Sequence, residues 1–408
     1  MEKKVKLAVI GCGQRGMALL HTLSALPDVE IIAVSDLYQD RMAEASERIY
    51  NTKGNRPLQI VDYEEVLKLD DLEVVIVSSS WENHIDVAIG AMKAKKTVGM
   101  EVGGVYTVEE CWQLIRAYEE TKTPFMFLEN CCYDKQELMA LRMVRDGLFG
   151  KVVHCSGAYG HDLREEVTGG AENRHYRLRN YLNRNAENYP THELGPIAKI
   201  LDINRGNRML TLVSVSSKSF GMEAYVEERK ETINSNLLGC DFAQGDIVTT
   251  IITCAGGETI LLKLDTSLPR FYDRELVLRG TKGMYLTSPN IVFLDGVHPE
   301  EYWTGIENTE KLFNNATEYE DKYLPDFWKN ITPEQRDLGH GGMDYFMMRA
   351  FIDAYKQSEE MPIDVYDAAS WMVITVLSEE SIALGGHPVT IPDFTRGKWL
   401  IRERKDVI

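Results

Sequence analysis

Lys6-Leu7-Ala8-Val9-Ile10-Gly11-Cys12-Gly13-Gln14-Arg15-Gly16 decides the fold. A short apolar run enters a glycine-rich turn that opens a helical pattern, the strand–turn–helix context in which G-x-G-x-x-G binds a dinucleotide. Glycine permits the tight turn and the close approach of backbone to a pyrophosphate, whose charge rests on the helix N-terminus. Gly11, Gly13, Gln14, Arg15 and Gly16 are therefore cofactor-site candidates. Twenty residues beyond Gly16, at the end of Ile31-Ile32-Ala33-Val34-Ser35, stands Asp36. Its carboxylate would accept hydrogen bonds from both ribose hydroxyls and repel a 2′-phosphate, which favours NAD over NADP. Arg41 weakens that preference slightly.

Outward from this stretch, β-branched apolar runs at 5–10, 29–35, 74–78, 97–100 and 125–128 alternate with helical patterns at 17–25, 40–49, 85–94 and 108–120. That alternation is the pattern of a parallel sheet covered by helices. It stops near Asn130. After a helix at 136–146, strands are expected at 151–159, 210–216, 246–253, 259–264, 275–278 and 291–294 without regular helices between them, which points to a mostly antiparallel sheet. The expected architecture is α/β plus α+β: a Rossmann doubly wound parallel sheet over 1–130, then a second domain over 131–408 built on a mostly antiparallel open sheet. Helices at 342–355 and 365–384 are expected to return to the first domain. The polar stretches 164–188 and 299–339 are expected as long loops, which beside a cofactor site often wall in a substrate.

With 408 residues, of which 44% are hydrophobic, the chain can bury two cores. A net charge of −18 and a pI near 5.0 disfavour nucleic acid and anionic membrane surfaces as partners. A small neutral substrate fits better. The first residues run straight into a strand without an apolar signal core, no segment is apolar enough for a membrane span, and the seven cysteines form no disulfide or zinc pattern. The expectation is a cytoplasmic protein with reduced thiols. No metal site is expected, because the nine histidines never pair with an acid or another histidine at ligand spacing.

Ser78-Ser79-Ser80-Trp81-Glu82-Asn83-His84 after the fourth strand and Met100-Glu101-Val102 after the fifth resemble the glucose–fructose oxidoreductase, inositol dehydrogenase and MocA superfamily. Ser79, Trp81, Asn83 and His84 would then lie at the carboxyl end of the sheet, where such a fold binds its ligand. Glu101 and Asn130, ending the next two strands, would face nicotinamide or its ribose. For His84, a helix-capping or core role is an equal alternative to cofactor contact. That superfamily carries Glu-Lys-Pro after the fifth strand, with the lysine assisting hydride transfer, whereas this chain has Glu101-Val102-Gly103. Another group must polarise the sugar hydroxyl.

A narrower resemblance covers nearly the whole chain. Leu128-Glu129-Asn130-Cys131-Cys132-Tyr133, Gly157-Ala158-Tyr159-Gly160-His161-Asp162, Tyr189-Pro190-Thr191-His192, Asp265-Thr266-Ser267-Leu268 and Gly339-His340-Gly341-Gly342-Met343-Asp344 are similar to glycoside hydrolase family 109, the NAD-dependent α-N-acetylgalactosaminidases. The resemblance implies an exception to two-carboxylate glycoside hydrolysis: transient oxidation at C3, elimination across C1–C2, addition of water and re-reduction. It makes Tyr159 a candidate C2 base or sugar contact, with His161, Tyr189 and His192 beside it, and places Tyr272 at the sugar.

Tyr159 and His161 are two apart and share a strand face; on their own they read as readily as a packed, hydrogen-bonded pair. Proline restricts Tyr189 to an extended conformation, and Thr191 can cap the helix that follows, putting His192 in its first turn, where the dipole favours a neutral imidazole. A capping-associated histidine is the plain alternative. Arg177 and Tyr176, in the polar insertion, are candidate sugar contacts or a solvated basic face. The competing functions are an NAD-dependent sugar or cyclitol dehydrogenase and a non-catalytic sugar–NAD sensor. A homo-oligomer through the open face of the second sheet follows from the superfamily resemblance.

Overall fold

The computed structural model describes residues 3–298 and 309–408. The apolar run that opens the sequence is β1 (Val5–Ile10). It joins β2 (Val29–Ser35), β3 (Leu58–Gln59), β4 (Val74–Val77), β5 (Thr97–Met100) and β6 (Phe125–Phe127) in a parallel sheet of order β3-β2-β1-β4-β5-β6. Every residue of β4, β5 and β6 is buried, which is why these runs read as continuously apolar. The short strand β3 has both residues exposed, so no apolar pattern marked it in the sequence.

The strand order reverses between β1 and β4, and a crevice at the carboxyl ends of those strands is where an open α/β sheet takes its ligand. Gly11 holds that crevice tight. It adopts φ +100°, and a Cβ there would lie 2.4 Å from the carbonyl of Ser78. Gly16 lets the first turn of the helix Gln14–Ala25 close onto the same loop, since its Cβ would sit 1.9 Å from the Gly11 carbonyl oxygen.

The second sheet contains β7 (Val152–Gly160), β8 (Met209–Ser216), β9 (Ile247–Cys254), β10 (Thr259–Asp265), β11 (Val277–Gly280), β12 (Gly283–Leu286), β13 (Ile291–Leu294) and β14 (Val389–Thr390). Its order is β13-β12-β11-β7-β10-β9-β8-β14, antiparallel throughout except for the β7–β10 pair. Gly157 on β7 lets the helix Thr191–Ile200 approach closely, because a Cβ there would be 2.8 Å from that of Glu193. The polar stretch 164–188 carries the short helices Arg164–Thr168 and Arg177–Asn183. Of the stretch 299–339, residues 299–308 lie outside the described residues; the remainder includes the turns Glu320–Tyr323, Asp326–Lys329 and Pro333–Arg336.

The chain divides into two compact units, Met1–Tyr133 with Ile331–Val373 and Lys405–Ile408, and Asp134–Asn330 with Ile374–Arg404. The first unit thus takes in 331–373, a segment that a division at 130 assigns to the second domain. Specific packing explains this. Phe351, on the helix Met343–Gln357, lies against Gly99 of β5. The Phe127 amide donates to the Ile363 carbonyl at 2.9 Å, and fully buried Trp371 meets the Phe127 ring edge-on at 6.2 Å.

The crevice gives a stability test. Gly11→Ala should cost about 3 kcal/mol or more, from left-handed strain plus a backbone clash. Gly147→Ala, at φ +75° with nothing within 4 Å, should cost only about 1–2 kcal/mol. Chemical denaturation compares them; equal losses would show that the loops beside Gly11 yield readily.

Candidate active site

The cofactor cradle is built in the first unit. Gly13 is the N-cap of the helix Gln14–Ala25, and no side chain caps it, leaving first-turn amides and the positive end of the helix dipole for an anion. A Cβ at Gly13 would meet nothing closer than the Arg41 guanidinium, at 3.5 Å. The loop therefore leaves room for a pyrophosphate and puts a cation beside it. Arg41 also lies 4.9 Å over the Tyr38 ring. Asp36 accepts from the Cys12 amide at 2.7 Å and the Tyr38 amide at 2.9 Å. Its carboxylate is thereby fixed beside the glycine turn, and these contacts fit a dinucleotide.

Beyond β4, Asn83 donates to the Ser80 hydroxyl at 2.9 Å, and the Ser79 carbonyl lies 3.0 Å from Nε2 of buried His84. The other His84 nitrogen faces the Gly103 carbonyl at 3.3 Å. Both ring nitrogens are thus engaged with backbone, and burial lowers the imidazole pKa. Trp81, also buried, packs on Gly103, where a Cβ would lie 2.2 Å from the indole nitrogen. Gly103 has φ +88°, a conformation closed to proline. The departure from Glu-Lys-Pro is therefore one of backbone as well as side chain.

Arg15, Glu101 and Asn130 meet in a polar array that the sequence did not reveal. Arg15 donates through Nε to Glu101 at 2.9 Å and through Nη1 and Nη2 to Asp344 at 2.6 and 3.0 Å. The Asn130 amide donates to Asp344 at 2.7 Å. The Arg15 guanidinium is consequently committed to two carboxylates and not to the glycine turn it follows.

The candidate substrate residues gather in the second unit. Tyr159 ends β7, and its hydroxyl is 3.0 Å from Nδ1 of His161. Its ring centroid lies 4.7 Å from that of Tyr189, 5.5 Å from His192 and 6.4 Å from Tyr272. His161 meets Tyr272 at 5.2 Å, and Tyr189 meets His192 at 4.7 Å. Arg177 is buried, ion-paired with Glu166 at 2.9 Å and 4.8 Å over the Tyr189 ring. Burial opposes the Arg177 charge, yet Tyr159, Glu166, Tyr176 and Tyr189 more than offset it and hold the guanidinium pKa well above its usual value. Burial and the Arg177 charge together lower the His161 pKa. The imidazole is thereby kept neutral within hydrogen-bond distance of the Tyr159 hydroxyl, while the Arg177 charge favours the phenolate.

Tyr176 stacks on His175 at 4.4 Å and is among the groups that raise the Arg177 pKa. Pro190, not Thr191, is the N-cap residue; Thr191 is the first helical residue and its hydroxyl caps nothing, while His192 still falls in the first turn. Two partners were missed in the sequence. Glu166 neutralises Arg177, and Arg274 donates to the Tyr272 hydroxyl at 3.1 Å. An acid eleven residues before a basic residue, or an arginine two after a tyrosine, is too common a pattern to single out.

This geometry coincides with two family matches. Residues 133–401 match the model of the glycosyl hydrolase 109 C-terminal domain, and residues 5–128 match the oxidoreductase family, NAD-binding Rossmann fold. An alpha-N-acetylgalactosaminidase from Tannerella forsythia is 36% identical across 98% of this chain and 88% of its own length. The chain belongs to glycosyl hydrolase family 109. A family 109 protein from Stenotrophomonas maltophilia is likewise 36% identical, over 99% of this chain and 92% of its own length. In fold, the chain is similar to scyllo-inositol dehydrogenase from Lactobacillus casei with bound NAD(H) and scyllo-inositol (TM-score 0.66, 12% identity, 95% of this chain and 99% of that one). The nucleotide-binding unit of this family 109 chain is thus one for a nicotinamide cofactor, and among the described residues no helix is long and apolar enough to cross a membrane.

Glu187, two residues before Tyr189, is fully buried and its carboxyl is pushed up to about 8 by desolvation. A carboxyl raised in the folded state binds its proton more tightly there than in the unfolded chain. Its contribution to stability is complete below about pH 4.5 and is lost as pH rises through about 8. Glu187→Gln should remove that decline, worth roughly a few kcal/mol, from denaturation midpoints measured across this window. An unchanged slope would place the pH dependence elsewhere.

Proposed function

We propose that the chain hydrolyses N-acetylgalactosaminides, or glycosides of a related amino sugar, with NAD as a resident cofactor that is neither consumed nor released. The observation that carries this reading is the Tyr159–His161 pair, hydrogen-bonded at 3.0 Å among Tyr189, His192, Tyr272 and Arg177 in a family 109 chain. The fixed carboxylate of Asp36 supports NAD over NADP. NAD, when bound, supplies reversible removal of hydride from a sugar carbinol carbon, which acidifies the neighbouring C–H.

The chain's own residues then handle protons. As hydride leaves, the neutral imidazole of His161 takes the proton of the sugar hydroxyl being oxidised and returns it on re-reduction, while Tyr159, as the phenolate favoured by Arg177, removes the C2 proton of the sugar. His192, in the first turn of its helix, protonates the departing C1 oxygen and activates the incoming water. Tyr189 packs against His192 and limits its orientation. Tyr272, whose hydroxyl accepts from Arg274, is left to donate its own proton to a sugar oxygen. Arg177 and Tyr176 complete the wall on the side of the polar insertion. Val102 and Gly103 leave no lysine to serve an ordinary alcohol dehydrogenation.

A cytoplasmic setting is supported by the free state of all seven cysteines. A homo-oligomer is supported by the second sheet, where Val213, Ile251 and Leu261 are cross-strand neighbours on one face and Ile251 is 49% exposed.

The test is leaving-group dependence. The chain should release nitrophenol from an aryl α-N-acetylgalactosaminide without accumulating free NADH. His192→Ala should slow an alkyl glycoside at least ~100-fold more than the nitrophenyl one, which needs little protonation on departure. Equal losses on both would assign His192 to binding. Stoichiometric NADH with the glycoside intact would instead make the protein a dehydrogenase.

A further inference from the structure

The motif Gly339-His340-Gly341-Gly342-Met343-Asp344 has no place in the reaction described above, yet its last residue is fully buried. Asp344 accepts two bonds from Arg15, one from Asn130 at 2.7 Å and one from Nδ1 of His340 at 2.9 Å. Around it the loop is closely built. A Cβ at Gly339 would lie 2.3 Å from an Asp344 carboxylate oxygen, so no side chain fits at 339 without displacing the carboxylate. On the far side of Arg15, Glu101 accepts from Nε at 2.9 Å, lies 2.8 Å from Nη2 as an ion pair, and accepts from its own following amide, Val102, at 3.0 Å. The guanidinium is thus clamped between two carboxylates. Arg15 charge and Asp344 charge sustain each other: the carboxyl of Asp344 is held well below its usual range despite burial.

We propose that Asp344 is a positioning residue of the cofactor site, holding Arg15 and through it Glu101 at the carboxyl end of β5. The array of two carboxylates and one guanidinium carries a net negative charge, which favours the oxidised, cationic nicotinamide over the reduced, neutral ring. This role rests on the nicotinamide site and on Glu101 facing the nicotinamide end of it, not on the identity of the sugar. It would keep the cofactor oxidised between turnovers, the state from which each cycle must start. An arginine left without Asp344 would be free to turn toward the glycine loop and its phosphates, and Glu101 would lose its anchor.

The test uses the full chain freed of nucleotide, with NAD+ and NADH titrated separately by fluorescence. Wild type should bind NAD+ more tightly than NADH. Asp344→Asn keeps the shape and removes one charge; it should lower the ratio of NAD+ to NADH affinity by roughly tenfold, the scale on which a unit charge acts over several ångströms inside a protein. A ratio that stays put, whether the two affinities persist or fall together, overturns the proposal, because damage to packing alone moves both equally. If the Asn variant lacks a cooperative unfolding transition, Arg15→Lys carries the test. Lysine keeps the charge but cannot span both carboxylates, so Glu101 loses its anchor and the ratio of NAD+ to NADH affinity should fall, by up to roughly tenfold. A ratio equal to that of wild type would overturn the positioning role. Failure of wild type to bind either nucleotide would overturn the cofactor reading and this proposal together.

Discussion

A guanidinium clamped between two buried carboxylates is a costly thing to fold, and the first unit is arranged around it. Removing Arg15 would strand both carboxylates without a counter-charge in a low-dielectric interior, a loss of several kcal/mol. The clamp draws on four separate stretches: Arg15 from the glycine-turn helix, Glu101 from the end of β5, Asn130 after β6, and Asp344 from the returning segment. None of the four can shift without exposing another. That constraint explains why a segment more than two hundred residues from the glycine turn is part of the same compact unit. It also ties the arginine inside the dinucleotide fingerprint to Glu101 and Asp344.

Much of this was legible in the sequence, and the reasons differ by element. The strands β1, β2 and β5 have the bounds expected from their apolar runs, because strands buried on both faces leave an unbroken pattern. The mostly antiparallel second sheet was legible from six apolar runs, although helices such as Thr191–Ile200 and Gly221–Glu228 do lie between some of them, while β12 and β14 were too short or too glycine-rich to register. The rings of Tyr159, His161, Tyr189, His192 and Tyr272 do gather. Sequence spacing alone could link only Tyr159 with His161 and Tyr189 with His192; joining the pairs required the family resemblance. What no local pattern could supply was the partner of each charge. Asp344 for Arg15, Glu166 for Arg177 and Arg274 for Tyr272 are set by tertiary approach. His84 lies buried between the Ser79 and Gly103 carbonyls, the geometry of the core role that stood beside cofactor contact as an alternative.

The second unit uses a different economy. Its reactive side chains are mostly neutral aromatics and imidazoles, with the buried guanidinium of Arg177 balanced by Glu166 and that of Arg274 by Glu137 and Asp134. Such a set suits chemistry in which no carboxylate attacks the anomeric carbon, and it relies on the nicotinamide to create acidity at carbon instead. Tyrosine is a weak base in water, but beside a fixed cation its phenolate becomes accessible. The loss of the superfamily lysine fits the same logic. Trp81 and the left-handed Gly103 occupy the backbone that a Lys-Pro pair would need.

The central claim is that the C–H bond next to the oxidised carbon is broken in every productive turnover. The fate of hydrogen at C2 tests it most directly, followed by nuclear magnetic resonance of the sugar released in heavy water, with absorbance at the NADH band recorded alongside. The account predicts deuterium at C2 of the product, unaltered C2–H in unreacted glycoside early in the reaction, and no net rise in NADH. A product that keeps its C2 proton, together with no isotope effect from substrate deuterated at C2, would contradict it and return the reaction to direct displacement at the anomeric carbon.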